Sequence, residues 1–182
     1  MTHPFTRTDN CVLETARLRL RRMTLDDTDL ILSLLNDADF IKFIGDKGVR
    51  TPEDAREYIR SGPLASYDLN GFGLWLVELI GSSTAIGMCG LLRRPALDDV
   101  DLGFAFLPEY RSQGYAFEAA AAVVRYGREM LGFRRIVAIA NSDNAMSIRV
   151  LEKIGMKFDR LIRLSEADAE IKLMVSEHTP AL

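Results

Sequence analysis

Near the N-terminus, hydrophobic and polar residues alternate in the segment LETARLRLRRM, where Leu18 and Leu20 are interleaved with Arg17, Arg19 and Arg21. Because successive side chains of a β-strand point to opposite faces, this alternation predicts one strand with a face in water. The arginines are a candidate basic patch, but an edge strand that carries its charges in solvent accounts for the same pattern.

Two helical patterns follow this strand. Thr24 is a candidate N-cap followed by acidic residues, and apolar residues recur at helical spacing between positions 30 and 35. Thr51 is a second candidate N-cap, with Pro52 at the first helical position and two acids in the first turn. These signals predict two helices in succession.

The middle of the chain predicts three strands and the remainder alternates between helix and strand. The segments GFGLWLVELI and TAIGMCGLL flank a short GSS turn, which is typical of a β-hairpin, and DVDLGFAFLP is a further strand ended by Pro108. An alanine-rich helix follows from about Phe117 to Leu131, and RRIVAIA has the continuous apolar character of a strand buried on both faces. The segment NAMSIRVLEKIG predicts a short helix closed by Gly155, and FDRLIRL and EIKLMVS predict a final hairpin.

The order of these elements is β-α-α-β-β-β-α-β-α-β-β, which predicts an α+β fold with a mixed sheet. We expect one domain over residues 11–177, with tails at 1–10 and 178–182. A chain of 182 residues is long enough for one domain with a sizeable core.

Charge and cysteine content narrow the class of protein. The net charge of −3 argues against a nucleic-acid binder that works by bulk charge. The polar N-terminus is not typical of a signal peptide, and no apolar run reaches transmembrane length. The chain has two cysteines, Cys11 and Cys89, without CxxC spacing, which argues against a disulfide framework and fits a reducing compartment. We therefore expect a soluble, cytoplasmic protein without a membrane or nucleic-acid partner.

Histidine is nearly absent from the chain. The two histidines, His3 and His178, both fall in the expected tails. Most metal sites, Ser-His-Asp hydrolysis and Cys-His nucleophilic chemistry need histidine in the folded domain, so we expect no metal. Acid and base catalysis is left to carboxylates, tyrosines, hydroxyls or water.

The segment YRSQGYA joins a predicted strand directly to the alanine-rich helix. A tight turn at a helix N-terminus presents unpaired backbone N–H groups to an anion, Gly114 permits unusual backbone conformations, and Arg111 can add charge. The patterns GxxxxGK[ST] and GxGxxG are both absent. From the turn alone, an anion site and an ordinary strand-to-helix connection remain equally open.

The chain resembles the GNAT N-acetyltransferases. RSQGYA fits their R/Q-x-x-G-x-G/A signature, with Arg111, Gly114 and Ala116 at the signature positions. NSDNAMSIRVLEKIGMKFD is similar to the N-x-x-S-x-x-x-x-E-K-x-G-F ending of the RimJ/RimL-like branch, which acetylates protein N-termini, and LETARLRLR is also typical of that branch. The resemblance covers nearly the whole chain.

This resemblance implies a GNAT fold and acetyl-CoA as co-substrate. The fold would be a mixed, mostly antiparallel sheet of about seven strands flanked by about four helices. Two splayed central strands, DVDLGFAFLP and RRIVAIA, would hold the pantetheine arm, and the turn would hold the pyrophosphate. The implied cofactor-binding residues are Phe104, Ala105, Phe106, Leu107, Arg111, Ser112, Gln113, Gly114, Tyr115, Ala116, Asn141, Asn144 and Ser147.

Acetyl transfer to an amine needs a path for the amine proton and a proton for the leaving thiolate. Asp101 is the first candidate base, since many family members carry a glutamate at this strand position, and its shorter side chain suggests action through a water. Glu78 is the second candidate. A solvated acid at the start of the strand remains the alternative for Asp101.

At the position of the general acid, this sequence departs from the family pattern. Where many members carry a tyrosine, this chain has Leu151, which cannot donate a proton. Ser147 is the hydroxyl that the RimJ/RimL-like branch offers instead, although a serine bonded to its own helix backbone is an equal alternative.

The resemblance implies an acetyl-CoA-dependent N-acetyltransferase acting on a protein N-terminus or a small amine by direct attack in a ternary complex. The alternative is a regulatory or sensor module that binds acyl-CoA with little catalysis. Phe40, Phe43, Tyr67 and Trp75 are candidates for lining the acceptor pocket, although such aromatics are more often core residues. A monomer and a homodimer are both compatible with the family.

Overall fold

The structure, a computed structural model, describes residues 10–177 and contains one eight-stranded sheet. His3, His178 and the two expected tails, apart from Asn10, lie outside the described residues. The strands are β1 (Cys11–Glu14), β2 (Leu18–Arg21), β3 (Leu74–Leu79), β4 (Ala85–Leu92), β5 (Val100–Phe106), β6 (Arg135–Ala140), β7 (Lys157–Ile162) and β8 (Ile171–Glu177).

The helices lie between these strands, and short helical turns extend three of the connections. The α-helices are α1 (Thr28–Leu35), α2 (Ala38–Phe43), α3 (Pro52–Ile59), α4 (Ala65–Asn70), α5 (Tyr115–Glu129) and α6 (Ala145–Lys153). Turns of 3-10 helix occupy Leu25–Asp27 and Pro108–Tyr110, and a π-helical turn, Arg60–Leu64, joins α3 to α4. Within residues 10–177 no helix is long and apolar enough to cross a membrane.

The sheet order is β1-β2-β3-β4-β5-β6-β8-β7, and every neighbouring pair is antiparallel except β5 and β6. The parallel pair is joined only where Val100 meets Ile136 and Asp101 meets Val137. Beyond that point β5 stays paired with β4 through Phe106, whereas β6 follows β8. The expected mixed α+β sheet with splayed central strands is therefore confirmed.

The N-terminal strand differs from the prediction. The alternating segment forms two strands, because the chain reverses at Thr15–Arg17, where the backbone N–H of Thr15 donates to Leu18 O at 2.8 Å. Alternation marks the faces of a strand but carries no signal for a tight reversal that lacks glycine and proline. Arg17 thus lies in a turn and not on the wet face of a strand.

Two short helices were also missed by the sequence prediction. The six-residue helix α2 begins after Asp37, whose carboxylate accepts a hydrogen bond from the backbone N–H of Phe40 at 3.0 Å. The equally short α4 continues from α3 through the π-helical turn, which contains Pro63. Neither helix is long enough to show a clear 3.6-residue period.

Helices cover both faces of the sheet. Helix α5 packs on one face, where its small residues let it approach closely: a Cβ added at Gly127 would lie 3.0 Å from side chains of Leu91 and Ile136. Helices α1 and α3 bury Ile31, Leu34 and Ile59 on the opposite face. The end of β5 that diverges from β6 lies between these two layers and leads into α5.

Candidate functional site

A cavity of about 550 Å³ lies at the divergence of the central strands. Its walls come from α2, the end of β5, the turn that leads into α5, and α6. The lining residues are Asp39, Phe40, Phe43, Ile44, Phe104, Ala105, Phe106, Tyr110, Arg111, Ser112, Gly114, Ala116, Phe117, Asp143, Asn144, Ala145, Met146, Ser147, Arg149, Val150 and Lys153.

The turn at the mouth of the cavity has an unusual backbone. Ser112 and Gly114 both have positive φ angles, 59° and 85°, and Gly114 is the N-cap of α5. The first N–H groups of a helix have no partner within it, and its dipole makes this end positive. Since Gly114 and Ala116 line the cavity, the start of α5 offers it a site for an anion.

Arg111 faces α2 across the cavity mouth. Its Nε donates to Phe106 O at 2.9 Å, its Nη1 donates to Asp39 Oδ2 at 2.7 Å, and its Nη2 donates to Asp37 Oδ2. The guanidinium therefore joins the turn to the start of α2. Two carboxylates already balance the positive charge that we expected Arg111 to offer a phosphate.

A second arginine, Arg17 from the β1–β2 turn, lies against the back of the same turn. Its Nε donates to Glu118 Oε2 at 2.7 Å and its Nη1 donates to Gln113 O at 3.1 Å. The guanidinium also lies 4.5 Å from the ring centroid of Tyr115. The sequence pattern carried no signal for this contact, because 96 residues separate Arg17 from Gln113.

Helix α6 brings two of the predicted residues to the opposite wall. Asn144 is its N-cap, and the side-chain oxygen accepts a hydrogen bond from the backbone N–H of Ser147 at 3.1 Å. Asn144 and Ser147 both line the cavity. Leu151, one turn further along, is 1% exposed and belongs to the core. Its side chain does not line the cavity.

Asp101 lies inside the protein and outside the set of cavity-lining residues. It is completely buried on β5, and Arg94 donates a hydrogen bond from Nε to Asp101 Oδ2. Burial raises the pKa of the Asp101 carboxyl, and the charge and hydrogen bond of Arg94 oppose that rise only in part. Asp101 sits where β5 and β6 are still paired, so its carboxylate has no direct contact with the cavity.

Glu78 lies on β3, separated from β5 by β4. Arg21 donates from Nε to Glu78 Oε1 at 2.7 Å and also binds both carboxylate oxygens of Asp27, at 2.9 and 2.7 Å. These two carboxylates raise the pKa of Arg21. Glu78 is buried in this ion-paired network and does not line the cavity.

The structure brings most of the predicted cofactor-binding residues together around the cavity and leaves four of them outside its lining. Asn141 accepts a hydrogen bond from the backbone N–H of Asp143 at 3.0 Å, and Gln113 donates to Glu109 O at 2.7 Å. The residues that line the cavity are Phe104, Ala105, Phe106, Arg111, Ser112, Gly114, Ala116, Asn144 and Ser147, and those that do not are Leu107, Gln113, Tyr115 and Asn141.

Of the four aromatic residues predicted for an acceptor pocket, two line the cavity and two do not. Phe40 and Phe43 face the cavity from α2. Tyr67 and Trp75 are 5% and 1% exposed, and the Tyr67 hydroxyl is held by the backbone of Met23 and Leu74. Phe40 is itself 3% exposed and packs in the core, so position at the cavity, and not burial, separates the two pairs.

Several lining residues escaped the sequence prediction. Two of them are the basic residues Arg149 and Lys153 of α6. The ammonium of Lys153 lies 5.0 Å from the ring centroid of Phe117. Among residues 10–177 no group of three or more histidine, cysteine, aspartate or glutamate side chains is placed to hold a metal ion. The cavity lining therefore combines apolar side chains, a helix N-terminus and basic side chains.

Comparisons with known proteins agree on the class of this domain. The family model described as Acetyltransferase (GNAT) domain matches residues 17–157. The uncharacterized protein YkkB of Bacillus subtilis is 31% identical over 156 residues, which are 83% of this chain and 88% of YkkB.

Solved structures share the architecture. A GNAT-family acetyltransferase from Bacillus anthracis superimposes with a TM-score of 0.76 at 27% identity, over 90% of this chain and 96% of that one. RimL, the ribosomal L7/L12 α-N-protein acetyltransferase solved with coenzyme A, gives a TM-score of 0.77 over 90% of this chain and 95% of its own, and at 14% identity it shows the fold alone. Because the family model spans most of the chain, this protein belongs to the GNAT family of acetyltransferases.

Proposed function

We propose that this protein transfers an acetyl group from acetyl-CoA to a primary amine by direct attack in a ternary complex. The single observation that carries the proposal is the cavity between the diverging strands, which ends at the positive N-terminus of α5. This shape suits a long thioester with a phosphorylated end.

The described residues fit coenzyme A along the length of the cavity. Beyond Asp101, β5 has no strand partner on its β6 side within residues 10–177, so backbone groups near Phe104 and Ala105 are available to the amides of a pantetheine arm. The pyrophosphate would lie at Ser112–Ala116, and Lys153 and Arg149, which line the same cavity, would favour further negative charge. RimL, solved with coenzyme A, offers a precedent on the same fold.

The chemical step is nucleophilic attack of the amine nitrogen on the thioester carbonyl carbon. The C–S bond breaks, the amine loses one proton, and the coenzyme A thiolate takes up one proton. Ser147 is our candidate donor to the thiolate, since it is a hydroxyl-bearing residue of α6 that lines the cavity. Holding both substrates in one geometry would supply much of the rate.

Asp101 is our candidate base, acting through water. Its burial raises its pKa and so makes the carboxylate a stronger base than an exposed aspartate. Glu78 is the weaker candidate because it lies beyond β4 and its carboxylate is held by Arg21. Both assignments rest on position, and each predicts a different response to substitution.

The acceptor that we favour is an α-amine of the kind that the RimJ/RimL-like branch modifies, with a small-molecule amine as the second class. The apolar side chains Phe40, Phe43 and Ile44 line the cavity opposite α6 and can hold the first residues of a peptide. Asp39 at the same wall adds a negative charge that favours a cationic amine.

A thiol-release assay tests the proposal. Purified protein is incubated with acetyl-CoA and a panel of N-terminal peptides, polyamines, amino acids and aminoglycosides, and free coenzyme A is measured together with the mass of the acceptor. We expect saturable thiol release with one acetyl group added to an amine. Tight binding of acetyl-CoA with no acetylated acceptor across the panel would refute catalysis and favour a binding module instead.

A further inference from the structure

Helix α5 begins without the usual side-chain cap. Its N-cap is Gly114, which has no side chain to bond to the first-turn N–H groups, and the left-handed backbone of Ser112 and Gly114 has to be held by other contacts. Arg17 supplies such contacts from the β1–β2 turn. Its Nη1 binds the carbonyl of Gln113, the residue that lies between the two positive-φ positions.

The same guanidinium fixes the first turn of α5. Glu118 accepts hydrogen bonds from Arg17 Nε at 2.7 Å, from the backbone N–H of Arg17 at 2.9 Å, and from Thr15 Oγ1 at 2.6 Å. Arg17 also covers the ring of Tyr115 at 4.5 Å. The β1–β2 turn is therefore bonded to Gln113 and to the first turn of α5.

Charge gives this contact a second consequence. Glu118 is an acid in the first turn of α5, where it lowers the positive potential that the helix dipole offers an anion. Arg17 balances that negative charge at 2.7 Å. Without Arg17, an unbalanced carboxylate would remain one turn from the proposed phosphate position.

We propose that Arg17 is a positioning residue for the phosphate end of coenzyme A: it holds the turn Ser112–Gly114 in its binding shape and cancels the charge of Glu118. Arg17 does not line the cavity, so it acts from behind the turn and not as a ligand. This inference rests on the proposed use of the cavity for acetyl-CoA.

Substitutions of Arg17 test the role in the intact chain. Isothermal titration with coenzyme A is carried out on wild type, on Arg17→Ala and on Arg19→Ala, which removes another arginine that is paired with a surface glutamate, Glu14. We expect Arg17→Ala to bind coenzyme A about tenfold more weakly, which is the scale of one lost charge-assisted hydrogen bond. Arg19→Ala should bind as wild type does.

Two further measurements separate positioning from loss of structure. Acetyl-pantetheine lacks the pyrophosphate and the nucleotide, so its kcat/KM in the thiol-release assay should be the same in wild type and Arg17→Ala. The double variant Arg17→Ala, Glu118→Gln should bind coenzyme A several-fold more tightly than Arg17→Ala, because the unbalanced charge is gone. Arg17→Lys should regain less than half of the lost free energy of binding, since one ammonium cannot serve Gln113 and Glu118 together.

The outcomes distinguish this inference from the proposed function. If wild type does not bind coenzyme A, the proposed function fails. If wild type binds it and Arg17→Ala binds equally well, or if acetyl-pantetheine turnover falls as much as coenzyme A affinity, the positioning role of Arg17 is overturned. A double variant that binds no more tightly than the single one overturns the cancellation of charge.

Discussion

Arg111 and Asp39 form an ion pair across the mouth of the cavity, with 2.7 Å between Nη1 and Oδ2. Asp37 takes the other terminal nitrogen of the same guanidinium and also caps α2. The turn before α5 is thus tied to the helix that lines the opposite side of the cavity. A phosphate that approaches Arg111 must compete with two carboxylates.

Removing one of these carboxylates should strengthen cofactor binding. Asp39→Asn leaves Arg111 with less of its charge balanced and takes a negative charge away from the cavity lining. We expect the affinity for coenzyme A to rise about two- to threefold at low ionic strength and the gain to shrink as salt screens the exposed charges. Titration calorimetry at two salt concentrations measures the change.

Asp29→Asn is the matched control for this prediction. Asp29 is an exposed acid in the first turn of α1 that does not line the cavity, and its replacement makes the same change in net charge. An equal gain in both variants would point to net charge alone, and an unchanged or lower affinity in Asp39→Asn would show that the ion pair does not limit cofactor binding.

The glycine of the turn offers a second prediction. Gly114 has a φ of 85°, and a Cβ at this position would lie 3.3 Å from Arg17 Nη2. We expect Gly114→Ala to lose ~1 kcal/mol of stability, because an L-residue is strained in the left-handed region, and to bind coenzyme A several-fold more weakly as the turn distorts. Thermal unfolding and titration calorimetry measure the two effects.

Gly132 provides the control for backbone strain. It has a φ of 74° and lies beyond the C-terminal end of α5, with nothing within 4 Å of an added Cβ. Gly132→Ala should lose a similar ~1 kcal/mol of stability while coenzyme A affinity stays unchanged. A comparable loss of affinity in both variants would contradict a specific role for the turn at Gly114.

The turn shows what local sequence can and cannot predict. Gly114 and the start of α5 were predictable because backbone freedom and helix N-termini leave a signature within a few residues. The partners of the turn were not predictable, because Asp37, Asp39 and Arg17 lie more than seventy residues away along the chain. An arginine in a motif indicates a positive charge, but the motif does not show which carboxylates will balance that charge.

Ser147 yields a third prediction, on the proton for the leaving thiolate. Ser147→Ala removes the hydroxyl but keeps the backbone N–H that Asn144 caps, so α6 should remain intact. We expect kcat to fall about tenfold to a hundredfold with little change in coenzyme A affinity. Steady-state thiol release and titration calorimetry provide the two numbers.

Ser142→Ala is the control for Ser147→Ala, because Ser142 is exposed and does not line the cavity. Its kcat should match that of wild type. If Ser147→Ala also keeps the kcat of wild type, water or another group protonates the thiolate.

For the two candidate bases, the strand pattern did not predict the ion-pair partners of the carboxylates. The sequence left Asp101 as a candidate base or a solvated acid, and it could not show that the carboxylate would be completely buried and bonded to Arg94. For Glu78 the pattern gave no hint of Arg21, whose forked side chain also holds Asp27. Ion pairing depends on loops and neighbouring strands, which local periodicity does not describe.

The fourth prediction concerns Asp101 and pH. Burial raises its folded-state pKa above that of the unfolded chain, so the folded protein binds the proton more tightly. This group therefore costs no stability below about pH 4, the unfolded pKa, and destabilises the fold increasingly as pH rises through the folded-state pKa. Asp101→Asn should lack this component of the pH dependence of unfolding, which denaturant titrations across that range measure.

The same variant separates a structural carboxylate from a catalytic one. If Asp101 accepts the amine proton through water, Asp101→Asn should lower kcat about tenfold to a hundredfold, most strongly near pH 6, where the neutral amine is scarcest. Glu78→Gln, which disturbs the network of Arg21 instead, should lower stability more than kcat. A kcat for Asp101→Asn that equals wild type from about pH 6 to 9 would assign Asp101 to structure alone, since the amine would then lose its proton without it.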